Sequence, residues 1–598
     1  MASTHVVAAD VPFDDNQVAI ENRAQNGSLH IISDDTIEEG VVDPPSMLSV
    51  NTKDAASFCT NADNGICSGQ SDLWYAAHLP QCSNTELTDC IVSVSASAGG
   101  GTQKTATFDR YFPNFGPQSY TGKPSIKLPT GRAPSVWKIP GAPHIGGDEY
   151  AVVARLRGST GNRKAASFQL ALTPVSLKTD ADTTTDFRLP YWIQPGRGAG
   201  PASDRGLFRC AYWGENGACL LSRAFPVDTS FTVVVRLATE PAGWLHGRIN
   251  TPTISFTKDG DNTLVSVTAS PVQVPAFQVG KQYSEFPAAV QKAFAVNGPY
   301  GSGGTRQPGG QDRTDPTLRN AEYNLIAYKN EGFEQLALMT DVIGDKAGWA
   351  PWMWRVRTLS EDEMNKAGKC LTTGDGVKGI VTTNATIYGS GPPSFNTTTG
   401  SLDYKVAAPH FTRTGDVFKG AYNLIMRSDV ARCFYNFTSA PVKADISVIE
   451  AAGTEGKATT SIKEENGWLT LSASGFSHSA PTVRAKLSQD AVATTTLAPT
   501  TTTLAPVQVT VPVVVEAIGL TTKAKKTISG SSLVKSARMT LPKKATISLT
   551  VATKYKAKCK VSGTTLRTLA AGTCVVKITV TTSTKKKTSK LLTVTVKK

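Results

Sequence analysis

Apolar residues in this chain gather in short runs, and long stretches with helical periodicity are scarce. YAVVARLRG (150–158), SFQLALTPVSL (167–177), SFTVVVRLAT (230–239) and TPTISFTKDGDNTLVSVTAS (251–270) read as alternating or continuous apolar strands. Lys258-Asp259-Gly260-Asp261-Asn262 separates two of these runs and predicts a hairpin turn. Strands with regular turn punctuation argue for a β-sandwich or jelly roll. Two short helices are expected, one within SEFPAAVQKAFAVNG (284–298). The other lies in LSEDEMNKAGKC, where Ser360 and Glu363 form a capping box and Gly368 supplies the stop. Strands return through 377–488.

At 598 residues the chain is too long for one core, and roughly 100–200 residues per domain suggests several units. The expected layout has a loop-rich, disulfide-bearing region at 1–110, a β-sandwich at 111–285 and a second β-rich module at 286–492. A linker at 493–506 and a last β-domain at 507–598 complete it. The linker, ATTTLAPTTTTLAP, has neither charge nor aromatic residue. β-Branched threonine with periodic proline favours an extended chain there. GWLHGRINTPTISF (243–256) and GWLTLSASGFSHSAPTVRAKL (467–487) share Gly-Trp-Leu and a later Pro-Thr, a faint internal echo.

Ten cysteines, at 59, 67, 82, 90, 210, 219, 370, 433, 559 and 574, change the picture by suggesting a compartment. Cys59/Cys67, Cys82/Cys90 and Cys210/Cys219 stand eight or nine apart, as disulfide-closed loops in an oxidising setting do. Nearest-neighbour pairing is the simplest arrangement, and Cys370 and Cys433 are free to bridge the second module. No Cys-x-x-Cys pair supports a zinc or redox motif. The expectation is an exported protein. MASTHVVAADVPFDDNQ lacks a basic region followed by an apolar run, so either a signal peptide has been removed or export takes another route. No window approaches a transmembrane span of about 20 apolar residues. LPTG at 128–131 is one residue short of a wall-sorting motif and reads as a turn.

Charge is segregated. Residues 507–598 hold nineteen Lys or Arg against a single acid, Glu516, a formal +18, while the whole chain is +14. Residues 1–492 therefore carry a net −4. A small domain with +18 attracts polyanions over a Debye length of roughly 8–10 Å. The candidate polyanion-binding residues are Lys543, Lys544, Lys554, Lys556, Lys558, Lys560, Lys585, Lys586 and Lys587. Solubility and edge protection are the plainer use of such lysines. Nucleic acid is not the expected partner, because no DNA- or RNA-binding signature is present.

Within that domain, CKVSGTTLRTLAAGTCVVKITVT (559–581) resembles the bacterial immunoglobulin-like group 2 family. The matching positions are Gly563, Leu569, Gly572, Thr573, Ile578 and Val580 in a Thr-x-x-x-Leu-x-x-Gly-Thr ending followed by alternating Val/Ile. Cys559 and Cys574 depart from the family pattern and read as a disulfide between neighbouring strands. The resemblance implies an immunoglobulin-like fold and a surface location, since such modules serve as stalks, adhesin segments and wall-associated repeats. The whole layout is similar to large secreted actinobacterial proteins.

Candidate chemistry is thin. There is no Gly-x-Ser-x-Gly, His-Glu-x-x-His, phosphate-binding loop or EF-hand. His144, Asp148 and Glu149 offer three ligand types on one turn, against a plain polar loop. Asp180, Asp182 and Asp186 are weak calcium candidates on what also reads as a solvated turn; no other cofactor is expected. Ser477-His478-Ser479 is not a dyad, because adjacent strand residues face opposite ways. Trp349, Trp352 and Trp354, and Tyr212 with Trp213, are carbohydrate-stacking candidates, although tryptophans more often fill cores. Glycosidase action needs two carboxylates about 5–10 Å apart, which nothing in the sequence pairs. Asn26, Asn384, Asn396 and Asn436 are glycosylation sequons. The leading expectation is a non-enzymatic, exported cell-surface β-protein. Its residues 1–492 would serve adhesion, ligand capture or surface assembly, and its basic module would hold an anionic wall polymer. A polysaccharide-active enzyme or a lectin-like protein is the alternative, and self-assembly a third possibility.

Overall fold

Continuous apolar runs become strands covered on both faces. YAVVARLRG lies in the strand Glu149–Ser159, whose residues 150–156 are all buried, and Val377–Thr383 is buried throughout. The structure, a computed structural model, describes residues 14–18, 28–35, 46–50 and 305–306. Apart from short interruptions it also describes 58–178, 210–295, 320–489 and 519–597. The chain is mainly β and divides into two compact units, Met1–Ala493 and Thr494–Lys598.

The first unit is organised by a fourteen-stranded sheet. Its path runs Met47–Ser49, Trp74–His78, Glu149–Ser159, Ser167–Lys178, Arg355–Thr358, Gly243–Arg248, Val377–Thr383, Gly420–Arg427, Trp468–Phe476, Thr459–Glu465. Along it, only Gly243–Arg248 and Val377–Thr383 pair in parallel. This sheet corrects the expected boundaries at 110 and 285. Trp74–His78 is hydrogen-bonded to Glu149–Ser159, and Ser167–Lys178 to Arg355–Thr358. Cutting the chain into the three expected modules would strip those ladders of their backbone partners.

Two further sheets cover the large one, giving three layers. On one face lies a five-stranded sheet containing Cys90–Ala98, Thr229–Leu237 and Asn262–Ser270. Val94, Phe231, Val233 and Val265 pack there with Tyr150, Val152, Leu245 and Ile380. On the other face a six-stranded sheet built on Ser401–Ala407, Lys443–Ile449 and Thr482–Ser488 packs Tyr404, Val406, Val448 and Val483 with Trp244, Val381 and Leu424. Adjacent residues thus enter opposite cores: Trp244 and Leu245, Ile380 and Val381. Each such side chain contributes roughly 1.5–3 kcal/mol of burial. The hairpin at 258–262 forms with Asp259 opposite Asn262 and Gly260 at positive φ. The two Gly-Trp-Leu segments both open strands of the central sheet from a positive-φ glycine. The chain then passes to an outer sheet in each case, but on opposite faces.

A four-stranded sheet that includes Ser28–Ser33, Phe277–Gln282 and Asn320–Asn324 packs with the helices Ala288–Ala293 and Glu331–Thr340 through Leu29, Phe277, Val290 and Met339. The first expected helix is present in shortened form. The second spans Glu361–Met364, and its capping box is reciprocal: Ser360 N–H donates to Glu363 Oε2 at 2.8 Å and Glu363 N–H to Ser360 Oγ at 3.3 Å. The helices Glu331–Thr340 and Ser428–Tyr435 were not anticipated. Both are short, at ten and eight residues, and Glu331–Thr340 has no side-chain cap to mark its start.

Disulfides join Cys59 to Cys67, Cys82 to Cys90, Cys370 to Cys433 and Cys559 to Cys574. The side chains of Cys210 and Cys219 lie outside the described residues. The second unit has a four-stranded sheet with Gly572–Thr581 and Lys587–Lys597 at its centre, and a three-stranded sheet of Thr527–Ser529, Thr565–Thr568 and Cys559–Ser562. The two sheets make a sandwich. Cys559 and Cys574 stand in different sheets, so the bridge crosses the sandwich core and does not join paired neighbours as expected. Its 15-residue separation predicts that the Cys559→Ala/Cys574→Ala variant loses about 3 kcal/mol. Urea melting of this unit, followed by circular dichroism, measures that loss.

Candidate functional site

Of the tryptophans considered for sugar stacking, two are core residues. Trp349 and Trp354 are buried, and their indole N–H groups donate to Asp34 Oδ2 at 2.8 Å and to the Ala269 carbonyl at 2.9 Å. Trp352 packs against the large core, and Tyr212 is buried with Val136 and Val175. Buried as they are, Trp349, Trp354 and Tyr212 cannot stack a sugar. The Trp213 side chain and the calcium candidates Asp180, Asp182 and Asp186 lie outside the described residues. The turn at 144–149 is not a metal centre either. His144 Nε2 meets the Glu149 carbonyl at 2.9 Å, its Nδ1 accepts from Gly146 N–H at 3.1 Å, and Glu149 is paired with Arg110. Among the sequons, Asn384 is buried and its amide donates to the Lys419 carbonyl at 2.9 Å. Asn396 donates to Asp403 at 3.1 Å. Asn26 and Asn436 lie outside the described residues.

What the tertiary fold assembles instead is a charged layer inside the first unit. His246 and Arg248 alternate along one strand and lie opposite Arg357 and Arg355 of its neighbour, so four basic side chains share one face. One acid reaches them from distant sequence and another from six residues away. Asp35 meets Arg248 at 2.5 Å and Arg355 at 2.6 Å, and Asp35 and Arg248 are essentially sealed from water. Burial pushes the Asp35 carboxyl up, but the two guanidiniums prevail and hold it below the usual range. Glu363, already the cap of its helix, takes a two-point contact from Arg357 at 2.8 Å through each oxygen. Arg357 also donates to the Tyr388 hydroxyl at 3.1 Å. The Tyr388 ring stacks flat on His246 at 3.7 Å and lies 4.6 Å from the Arg248 guanidinium. Burial, with the neighbouring arginines, drives the His246 imidazole well below its usual pKa.

This layer ends at a cleft of about 810 Å³ between the helices and the six-stranded sheet. Glu363 forms part of its wall, with Phe333, Phe395, Asp403, Phe434 and Arg484. Asp403 and Arg484 are register partners on adjacent strands, joined by two hydrogen bonds at 2.9 and 3.0 Å. Ser401 and Asn396 also donate to Asp403. Burial raises the Asp403 pKa, and the bonds from Arg484, Ser401 and Asn396 more than reverse that. Glu363 is likewise raised by burial and brought below its usual range by Arg357 and Ser360. A glycosidase acid needs a raised pKa. Both carboxylates are instead held ionised, which suits binding and not proton donation. Sequence reasoning missed this cleft, although the alternation in SLDYKVA and TVRAKLS carries Asp403 and Arg484 on matching faces.

His478 is also core. It lies beside Phe476 and Phe418, and neither ring nitrogen has a hydrogen-bond partner among the described residues. Among the described residues no helix is long and apolar enough to cross a membrane, and no group of three acidic, histidine or cysteine side chains is placed to hold a metal.

In the second unit, Lys560 and Arg567 stand directly opposite each other on the outer face of the three-stranded sheet, both exposed. Like charges in that position repel, and residues 517–598 contain no acid to offset them. Lys558 is half-buried nearby in sequence. The side chains of Lys543, Lys544, Lys554, Lys556, Lys585, Lys586 and Lys587 lie outside the described residues. No family model matches the chain, and no curated protein matches it. Four disulfides and a β-rich fold fit an extracellular protein.

Proposed function

We propose that this is an exported cell-surface protein whose 494–598 unit holds an anionic polymer of the wall type while the 1–493 unit serves as a ligand-binding ectodomain. One observation carries the reading: the positive charge of the chain resides in its last module, beyond a neutral threonine-proline segment, with nineteen bases against one acid. The facing pair Lys560 and Arg567 supports it, since an anionic partner relieves their mutual repulsion. The resemblance of 559–581 to bacterial immunoglobulin-like modules points the same way.

The test is co-sedimentation of the full chain with purified bacterial cell walls across a salt series. Binding is expected at low salt and lost near 1 M, where the Debye length is about 3 Å. Each base at an anionic surface contributes about 1 kcal/mol, so the Lys560→Gln/Arg567→Gln variant should bind roughly thirtyfold more weakly. Salt-independent binding, or a variant that binds as tightly as the parent, would sink the reading.

A further inference from the structure

We propose that the cleft between the six-stranded sheet and the helices of the first unit binds a neutral oligosaccharide. Its volume, about 810 Å³, lies in the range of ligand-binding cavities, roughly 300–1,000 Å³. Charge balance selects the ligand class. Arg484 and Lys405 line the cleft with Glu334, Glu363 and Asp403, and Arg357 lies behind Glu363. Three cations therefore meet three anions, leaving no net field to recruit an ion. The polar wall still presents directed donors. Arg484 commits Nε and Nη2 to Asp403, while Nη1 makes no hydrogen bond among the described residues. The guanidinium plane is fixed by a carboxylate that Ser401 and Asn396 hold in turn. A planar donor so fixed suits the paired hydroxyls of a sugar ring, because little freedom remains to be lost on binding.

The same cleft supplies apolar faces. Phe395 and Phe434 stack at 5.3 Å with their planes 23° apart, and both are only partly buried. Aromatic faces beside fixed polar groups match the two sides of a pyranose, one of C–H bonds and one of hydroxyls. An ionised wall with lowered pKa values retains rather than cleaves what it binds.

Isothermal titration of the full chain in about 0.15 M salt, with chitotriose, cellotriose, maltotriose and mannotriose as neutral probes and trigalacturonate as the charged probe, decides the matter. At least one neutral trisaccharide is expected to bind with Kd near or below about 1 mM, with the same affinity when salt is raised. Ser394→Trp, at an exposed position of the cleft wall, fills the space without disturbing the core and should weaken binding at least tenfold. Arg484→Gln should do likewise. If Arg484→Gln alters tryptophan fluorescence in the absence of sugar, Ser394→Trp alone decides. The inference is overturned if no neutral probe binds at about 10 mM, if trigalacturonate binds more tightly than all of them, or if Ser394→Trp binds normally. Failure here leaves the wall-polymer reading standing, because that reading concerns the other unit and depends on salt.

Discussion

Replacing Asp35 with alanine should destabilise the first unit by roughly 3–5 kcal/mol, the cost of removing one partner of a buried ion cluster. Arg248 and Arg355 are both buried and converge on this carboxylate; without it, two guanidiniums face each other out of water. Arg248 keeps its bonds to the Thr383 and Ala385 carbonyls, but neither carries a compensating charge. All nine tryptophans lie within residues 1–493, so tryptophan fluorescence during urea unfolding reports this unit alone. The triple variant Asp35→Ala/Arg248→Met/Arg355→Met should recover most of the loss, because an apolar cluster incurs no charge burial. A loss below about 1 kcal/mol in the single variant would show that water reaches the cluster.

Acidification should destabilise the same unit before its carboxylates titrate. Burial pushes the His478 imidazole down to about 3, and burial aided by three arginines moves His246 in the same direction. The unfolded chain binds these protons near pH 6.5 and the folded one does not. Their contribution is thus fully present above pH 6.5 and falls by about 1.4 kcal/mol per pH unit for each histidine below it. By pH 4.5 His478 alone removes roughly 3 kcal/mol, a substantial share of a typical 5–15 kcal/mol stability, and His246 acts in the same direction. Asp35, Glu363 and Asp403, whose carboxyls are depressed, add their own losses only as pH falls below about 4. Urea melts followed by tryptophan fluorescence at pH 7.5, 6 and 5 measure the slope. His478→Phe, flanked by Phe418 and Phe476, should make it shallower by one histidine's share. A stability independent of pH between 7.5 and 5 would refute the assignment.

Strands, turns and caps were legible because their causes are local. Gly260 makes the 258–262 hairpin, and Ser360 and Glu363 cap each other three residues apart. Glu363 also shows where such reading stops. Its second role, pairing with Arg357 six residues back, appears only when the strand and helix fold against each other at the cleft. Nothing local in Ser33-Asp34-Asp35 marks it for burial, yet Asp34 receives the Trp349 indole and Asp35 sits between two arginines. The tryptophans near 350 read as core more readily than as a sugar platform, and the layers packed around Trp349 and Trp354 bury both.

The sequence by itself determined the β class, the turn positions, the segregation of positive charge and the break near residue 493. Each follows from residues near one another in the chain or from composition. Tertiary structure alone decided that residues 47–476 share one sheet, that its two faces carry different outer sheets, and that Asp35, Arg248 and Arg355 meet. Those facts rest on pairings across well over a hundred residues, such as Gln169 with Arg357. Such pairings arise because strands buried on both faces must find backbone partners wherever the chain provides them.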